Sequence, residues 1–247
     1  MKKLYEKSEI TFTIILIVIY TLTIGTLKNN FGLESIWHML GLLVIAAAMF
    51  LFVVRCDLLE KYGLAGWAKN NRSMLWFIPL WLISCMNLLG WFYPNYPLPN
   101  LIYACVSMAL VGFVEELIFR GFLFKAMLKD GNAKTAIVVS SVTFGIGHIL
   151  NLFTGQALVG TLFQVVFAIA VGFVFMLAFY KSGSLWPSIL AHSFIDVTSV
   201  FATNEGSQVL NVVVHIAVFV ISATYCIYLV KCVETPACMK GGEEVSG

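Results

Sequence analysis

The sequence predicts an all-α fold: a polytopic membrane helical bundle of about eight transmembrane helices, with the N- and C-termini in the cytoplasm. Three observations lead to this prediction. Of the 247 residues, 60% are hydrophobic and only 11% are charged, whereas a soluble domain carries about 25% charged residues. The apolar residues gather in runs long enough to cross a bilayer as helices, without the alternation typical of barrel strands. Lys and Arg residues concentrate in every second connection between these runs.

The apolar runs place the predicted spans. A transmembrane helix needs about 17–25 apolar residues, and the candidate spans are residues 10–27, 36–54, 75–93, 101–124, 135–150, 157–180, 184–201 and 208–230. The first run is longer than the roughly 7–15 apolar residues of a signal peptide, so it is interpreted as a retained span. Pro94, Pro97 and Pro99 predict a rigid turn before the fourth span, because proline fixes φ and lacks an amide donor.

The basic residues give the predicted orientation. In chain order, the segments before, between and after the spans hold 3, 1, 4, 0, 3, 0, 1, 0 and 2 Lys and Arg residues. Cytoplasmic loops carry the excess of these residues, so the alternation predicts cytoplasmic termini. Residues 1–247 are predicted to form a single membrane domain with a disordered tail at 232–247. A net charge of +2, without a basic run interleaved with aromatics, predicts no nucleic-acid partner.

Polar motifs interrupt three of these apolar spans. They are Glu115-Glu116-x-x-x-Arg120, Phe144-x-x-x-His148 and His192-x-x-x-Asp196. Ionisable side chains at membrane depth are costly and normally face a bundle interior or a water-filled cavity. At a rise of about 1.5 Å per helical residue, the four candidate catalytic residues fall within roughly 10 Å of depth, near the middle of the bilayer. The motifs therefore predict one site built inside the membrane.

The two adjacent glutamates of the first motif, Glu115 and Glu116, are predicted to have different roles. Glu116 and Arg120 are four residues apart on one helix face, the spacing of an intrahelical ion pair. Glu115 points about 100° away and stays free to act as a general base. A structural interpretation, in which the Glu116–Arg120 pair only fastens two helices together, remains open.

The two histidine motifs supply candidate partners for this base. Phe144 and His148 share a helix face, and an aspartate one turn from a histidine, as Asp196 is from His192, can fix its tautomer and orientation. His192 and Asp196 could also contact a polarised carbonyl or ligate a metal. His38 and His215 stand alone and are interpreted as satisfied core or interface residues.

At these motifs the sequence resembles the CAAX prenyl endopeptidase type II family, also called the CPBP or Abi family. The resemblance covers about residues 100–200, the expected catalytic core, and includes Phe-Arg-Gly at 119–121 and Ser-Leu-Trp-Pro-Ser-Ile-Leu-Ala-His at 184–192. It implies an eight-helix intramembrane endopeptidase, of metalloprotease-like or glutamate type. Glu115 and His148 would activate a water, and His192 and Asp196 would hold the oxyanion side. The supporting residues would be Glu116, Arg120 and Phe144.

The cofactor is open at this point, although a divalent metal such as zinc fits the family description. If a metal is present, its ligands would be Glu115, His148, His192 and Asp196. The chain contains no H-E-x-x-H motif and no cysteine cluster, so ordinary zinc signatures do not apply.

The resulting functional hypothesis is hydrolysis of a peptide bond in a membrane-associated peptide or protein. The substrate would be CAAX-type or resemble a leader or pheromone precursor, and it would enter a cavity that opens to the cytoplasm. The protein is expected to be a multi-pass protein of a bacterial plasma membrane. Prenylated substrates are not expected in such a membrane. Two alternatives remain: a non-catalytic bacteriocin-immunity protein or one that binds a membrane sensor, and an ion-binding transporter.

Overall fold

The computed structural model describes residues 1–89, 93–202 and 208–240, and these residues form an all-helical bundle. Its helices are α1 (Lys2–Lys7), α2 (Glu9–Phe31), α3 (Ile36–Arg55), α4 (Ile78–Ser84), α5 (Leu98–Glu116), α6 (Phe124–Asp130), α7 (Ala133–Gly147), α8 (Leu158–Ser182), α9 (Trp186–Ser199) and α10 (Gln208–Cys232). A π-helical segment, Leu117–Leu123, joins α5 to α6. Short 3-10 helices are Leu75–Phe77, Met86–Leu89, His148–Thr154 and Ala237–Met239.

Six helices in the described part of the chain are long and apolar enough to cross a membrane, so the chain is a multi-pass membrane protein. They are Glu9–Phe31, Ile36–Arg55, Leu98–Lys129, Ala133–Thr154, Leu158–Ser182 and Val212–Cys232. The predicted count of eight is not confirmed, because two predicted spans correspond to the shorter helices α4 and α9.

The first of these differences has a local cause. Within the predicted span 75–93, residues Leu75, Trp76 and Phe77 all have positive φ, which interrupts the helix before α4 begins at Ile78. Residues 90–92 of this predicted span lie outside the described residues. The second predicted span, 184–201, contains only the 14-residue helix α9, whose Ser188 and Ala191 are fully buried. One face of α9 is thus buried in the bundle, while Leu190 and Phe194 on it are exposed.

Close helix packing brings the site-bearing helices together. Gly112 on α5 faces Ser193 on α9, and the Ser193 hydroxyl donates to the Ala109 carbonyl oxygen at 2.9 Å. Gly145 on α7 faces the backbone of Ile169 on α8. Small residues at such positions allow helix backbones to approach closely, as is common in membrane bundles. The three polar motifs therefore meet because glycines remove the side chains that would hold their helices apart.

Polar contacts fasten the end of the bundle where α2 begins. The Lys61 ammonium pairs with the Glu9 carboxylate and donates to the Tyr5 hydroxyl at 2.7 Å. Burial lowers the pKa of Lys61, but the hydrogen bonds to Glu9 and Tyr5 outweigh this and raise the pKa overall. The long connection between α3 and α4 is thus tied to the start of α2.

Part of the predicted disordered tail is packed against the bundle. The Lys125 ammonium donates to the Cys238 carbonyl oxygen at 2.9 Å, and the Lys181 ammonium donates to the Val233 carbonyl oxygen at 2.7 Å. Met239 is buried. The prediction for 232–247 therefore differs from the structure up to residue 240, since two lysines satisfy backbone carbonyls there. Residues 241–247 lie outside the described residues.

Substitution of Gly112 by alanine tests the close packing of α5 on α9. An added Cβ would lie 2.6 Å from the Ser193 backbone nitrogen, and relieving such overpacking costs about 1–3 kcal/mol. Gly112→Ala is expected to lower the thermal unfolding midpoint of the detergent-solubilised protein. Gly25→Ala on α2, where nothing lies within 4 Å of the added Cβ, is the matched control and should not lower it. Equal midpoints for the two variants would contradict this account of the packing.

Candidate active site

A fully buried ion pair lies at the centre of the site. The Arg120 Nη1 atom is 3.1 Å from Glu116 Oε1, and neither side chain is exposed. The Arg120 Nη2 atom donates to the Gly172 carbonyl oxygen at 3.3 Å. The guanidinium also lies over the Phe144 ring, 4.1 Å from its centroid. The predicted Glu116–Arg120 pair is present, and Phe144 provides a cation–π contact for the same charge.

The π-helical segment Leu117–Leu123 surrounds Arg120 and was not anticipated from the sequence. Its extra residue per turn appears most often at functional sites. All seven of its residues are buried. Together with Phe124, this segment closes the bundle on the side of the site that leads toward α6. The wall of the site in that direction is therefore apolar apart from Arg120.

His192 is held between carboxylates on both sides of its ring. Its Nδ1 atom is 2.8 Å from Glu116 Oε1, and its Nε2 atom is 3.4 Å from Asp196 Oδ2 and 3.9 Å from Glu115 Oε2. Asp196 was expected to orient this histidine from one turn away. The closer partner is Glu116, because α9 packs directly against α5 at this level.

Glu115 receives a hydrogen bond from a residue that the sequence interpretation missed. The Tyr20 hydroxyl on α2 donates to Glu115 Oε1 at 2.8 Å, and the tyrosine is 7% exposed. The available signal was a tyrosine in the middle of the first apolar span, about ten residues from its start. Tyr20 fixes the carboxylate and adds α2 to the set of site-bearing helices.

His148 follows the last residue of α7, and one of its ring nitrogens makes a hydrogen bond. Its Nδ1 atom is 3.2 Å from the Phe144 carbonyl oxygen. A carbonyl only accepts hydrogen bonds, so Nδ1 carries the proton and Nε2 of the neutral ring is an acceptor. His148 borders the same cavity as Glu115, His192 and Asp196. The structure thus brings together all four predicted catalytic residues.

The cavity has a volume of about 390 Å³ and extends from the site in one direction. Its walls follow α2 from residue 20 to 28, α5 from 115 back to 108, α7 and its extension from 144 to 154, and α9 from 192 to 199. Its exposed lining residues are Gly147, Leu150, Gln156 and Ser199. All of these positions lie toward the helix ends remote from Glu9. The expected opening to the cytoplasm is therefore not found if the N-terminus is cytoplasmic.

The donor set was compared with the requirements of a metal centre. In the described residues, no group of three or more His, Cys, Asp or Glu side chains is placed to hold a metal ion. Glu116 engages Nδ1 of His192, and the Phe144 carbonyl engages Nδ1 of His148. Within the described residues the arrangement does not fit a preformed metal centre.

Removal of the Arg120 charge tests the central ion pair. Breaking a buried pair from one side leaves an uncompensated charge and costs about 3–5 kcal/mol, so Arg120→Leu should strongly destabilise the fold. Lys129→Leu is the control, because the Lys129 side chain is 63% exposed and lies 3.6 Å from Glu9, and exposed pairs contribute about 0–1 kcal/mol. Chemical denaturation of both variants in detergent measures the difference. A similar loss for the two would contradict the central role of the buried pair.

Comparisons with known proteins bear on this site. The family model described as "Type II CAAX prenyl endopeptidase Rce1-like" matches residues 97–198. A curated protein of Bacillus subtilis (strain 168), named "Putative membrane peptidase YdiL", is 24% identical over 196 residues, which is 74% of this chain and 64% of that protein. The match thus covers less than two thirds of the relative's length. No solved structure matches the chain significantly.

The matched region coincides with the site described above. Residues 97–198 include α5, the π-helical segment, α7 and nearly all of α9. All three polar motifs fall inside this region, and their side chains converge on one cavity. The resemblance to the CAAX prenyl endopeptidase type II, or CPBP, family that was found in the sequence is thereby confirmed over residues 97–198.

Proposed function

We propose that this protein is an intramembrane endopeptidase that hydrolyses a peptide bond in a membrane-associated peptide or protein. One observation carries the proposal: Glu115, His148, His192 and Asp196 border a single cavity within a membrane bundle. A structural role would be served by the Glu116–Arg120 pair alone. Four further ionisable groups around a cavity are costly, and their cost is explained if they perform chemistry there.

Glu115 is suited to activate a water molecule. Its Oε1 atom accepts from Tyr20, while Oε2 is 3.9 Å from His192 Nε2. This separation exceeds a hydrogen bond and leaves room for a bridging water. In the proposed step, the water oxygen attacks the peptide carbonyl carbon and its proton passes to Glu115. The carbonyl π electrons move to oxygen and form an oxyanion.

The remaining residues divide between charge stabilisation and proton delivery. As an imidazolium, His192 would donate Nδ1–H to Glu116 and Nε2–H to the oxyanion, and such a donor stabilises the developing charge. An ionised Asp196 only accepts hydrogen bonds, so it would orient His192 instead of contacting the oxyanion. His148 would accept a hydrogen bond from the water at Nε2, take over the proton that Glu115 received, and deliver it to the leaving amine as the tetrahedral intermediate breaks its C–N bond.

The direction in which the cavity opens limits the class of substrate that we propose. The Lys and Arg distribution favours a cytoplasmic N-terminus, so the exposed cavity lining would lie toward the outer face of a bacterial plasma membrane. A peptide anchored in the bilayer, such as a leader or pheromone precursor presented at that face, fits this opening better than a cytoplasmic CAAX protein. The required partners are therefore the lipid bilayer and a peptide or protein held within it.

Substitution of the two water-activating residues tests the proposed reaction. Glu115→Gln and His148→Ala should abolish a cleavage product at unchanged protein abundance, because each removes a proton acceptor. Membrane and secreted peptides of cells expressing each variant would be compared by mass spectrometry. Glu60→Gln, on an exposed part of the connection after α3, is the control and should retain the product.

The same comparison separates the competing functions. A peptide lost in both site variants and kept in Glu60→Gln identifies the substrate. Unchanged peptides, together with a phenotype that survives Glu115→Gln, would reject hydrolysis. That result would favour a protein that binds a membrane sensor or provides bacteriocin immunity.

Removal of the Tyr20 hydroxyl tests the orientation of the proposed base. Tyr20→Phe keeps the ring and deletes the hydrogen bond to Glu115, and small misplacements of a reacting group cost up to about a hundredfold in rate. We expect kcat on the identified peptide to fall at least about tenfold, with little change in KM. Tyr103→Phe on α5, whose side chain does not border the cavity, should leave kcat unchanged. A wild-type kcat for Tyr20→Phe would reject this role.

A further inference from the structure

The outer part of the cavity contains a cation without a counterion. Lys28 lies in the last turn of α2, is partly buried and borders the cavity beside Leu33 and His38. Among the described residues no carboxylate lies within 4 Å of its ammonium group, and Glu34, in the adjoining connection, does not pair with it. Lys28 is also the only basic residue in the segment between the first two predicted spans. Its position is thus unusual both for its charge and for its place in the bundle.

A second polar side chain beside it has no hydrogen-bond partner. His38 is 1% exposed, and in the described part of the chain neither Nδ1 nor Nε2 makes a hydrogen bond. Leaving a buried donor unsatisfied costs about 1–3 kcal/mol, and native structures rarely contain such groups without a reason. The sequence interpretation of His38 was a satisfied core or interface residue; the residue is buried, but its ring nitrogens make no hydrogen bond of good geometry within the described residues. Its ring borders the cavity that Lys28 borders, so a bound ligand could satisfy both groups.

We propose that Lys28 and His38 form a carboxylate-binding subsite that selects the substrate. This inference rests on the proposed endopeptidase function and adds a specificity determinant to it. An ammonium offers only hydrogen-bond donors, and the imidazole contributes one N–H, whereas a carboxylate offers only acceptors. Hydrogen bonds between charged groups of this kind are among the strongest in proteins. Neither residue takes part in the water activation described above.

The spacing along α2 sets where the carboxylate lies in the substrate. Lys28 is eight residues beyond Tyr20, which contacts Glu115, so the two levels differ by about 12 Å at 1.5 Å per residue. An extended peptide advances about 3.3 Å per residue. The recognised group is therefore about three or four residues from the cleaved bond. It is either the terminal carboxylate of a short segment or an Asp or Glu side chain at that distance.

A purely structural role for Lys28 leads to expectations that differ from those of a carboxylate-binding subsite. A lysine in the last turn of a helix interacts favourably with the helix dipole, and that role requires no ligand. It would leave the two nitrogens of His38 without a partner, and it would be insensitive to the chemistry of a bound peptide. The two accounts can be separated by varying the peptide while the protein is held constant.

A peptide-binding measurement provides this test. The full-length protein carrying Glu115→Gln, which prevents turnover under the proposed mechanism, is placed in lipid nanodiscs. The probe is an apolar, fluorophore-labelled octapeptide with either a free or an amidated C-terminus. We expect the free acid to bind about five- to tenfold more tightly than the amide. Adding Lys28→Gln should reduce the affinity for the acid to that for the amide, whereas Lys28→Arg should preserve most of the difference.

Further arms identify the source of the carboxylate and control for folding. An amidated probe with Glu in its last position binds like the free acid if a side-chain carboxylate suffices, and like the amide if the terminus is required. Exposed Lys3 provides the matched control, since Lys3→Gln should retain the acid preference. His38→Phe should weaken binding of the acid more than binding of the amide.

The outcomes that reject the subsite are equally definite. Equal affinities for the acid and the amide, an acid preference that persists in Lys28→Gln, or no binding of either probe up to its solubility limit would overturn the proposal. Because the measurement reports binding alone, it is independent of hydrolysis. Failure of the endopeptidase function would appear separately, as peptide products that persist in Glu115→Gln cells.

Discussion

The arrangement of the site depends on how one buried positive charge is compensated. Removing a guanidinium from water costs several kcal/mol, which only close partners can offset. Arg120 finds them in Glu116, the Gly172 carbonyl and the Phe144 ring, which belong to α5, α8 and α7. The charge therefore aligns three helices at one depth. Because Glu116 also contacts His192 on α9, the same compensation extends to a fourth helix.

This compensation explains why the two adjacent glutamates have different environments. Glu116 is fully buried, and one of its oxygens faces both Arg120 and His192. Glu115 is partly exposed to the cavity and receives a hydrogen bond from Tyr20. A carboxylate engaged in the buried ion pair and one that faces the cavity thus lie side by side on a single helical turn. The close approach of Gly112 to Ser193 brings α9 near enough to use both.

The sequence was sufficient to predict the helical membrane fold, the Glu116–Arg120 pair and the grouping of the four ionisable residues. Motif spacing carries this information because residues four apart share a helix face. The contribution of Tyr20 was not predictable in the same way, since an isolated hydroxyl in an apolar run has no periodic signature. The unsatisfied nitrogens of His38 and the direction of the cavity depend on tertiary packing, which span hydropathy does not encode. The predicted number of crossings is not confirmed, because α4 and α9 are shorter than the six helices that are long and apolar enough to span a membrane.

The closed wall behind the site also bears on the electrical insulation of the membrane. Each elementary charge gains about 2.3 kcal/mol per 100 mV across the full membrane, so a site that opens to one face needs a barrier toward the other. The side chains of Leu117–Leu123 and Phe124 on that side are buried and apolar apart from Arg120, which is paired with Glu116. Under the proposed function, this layer would let water for hydrolysis be held deep in the bundle without opening a path for protons across it.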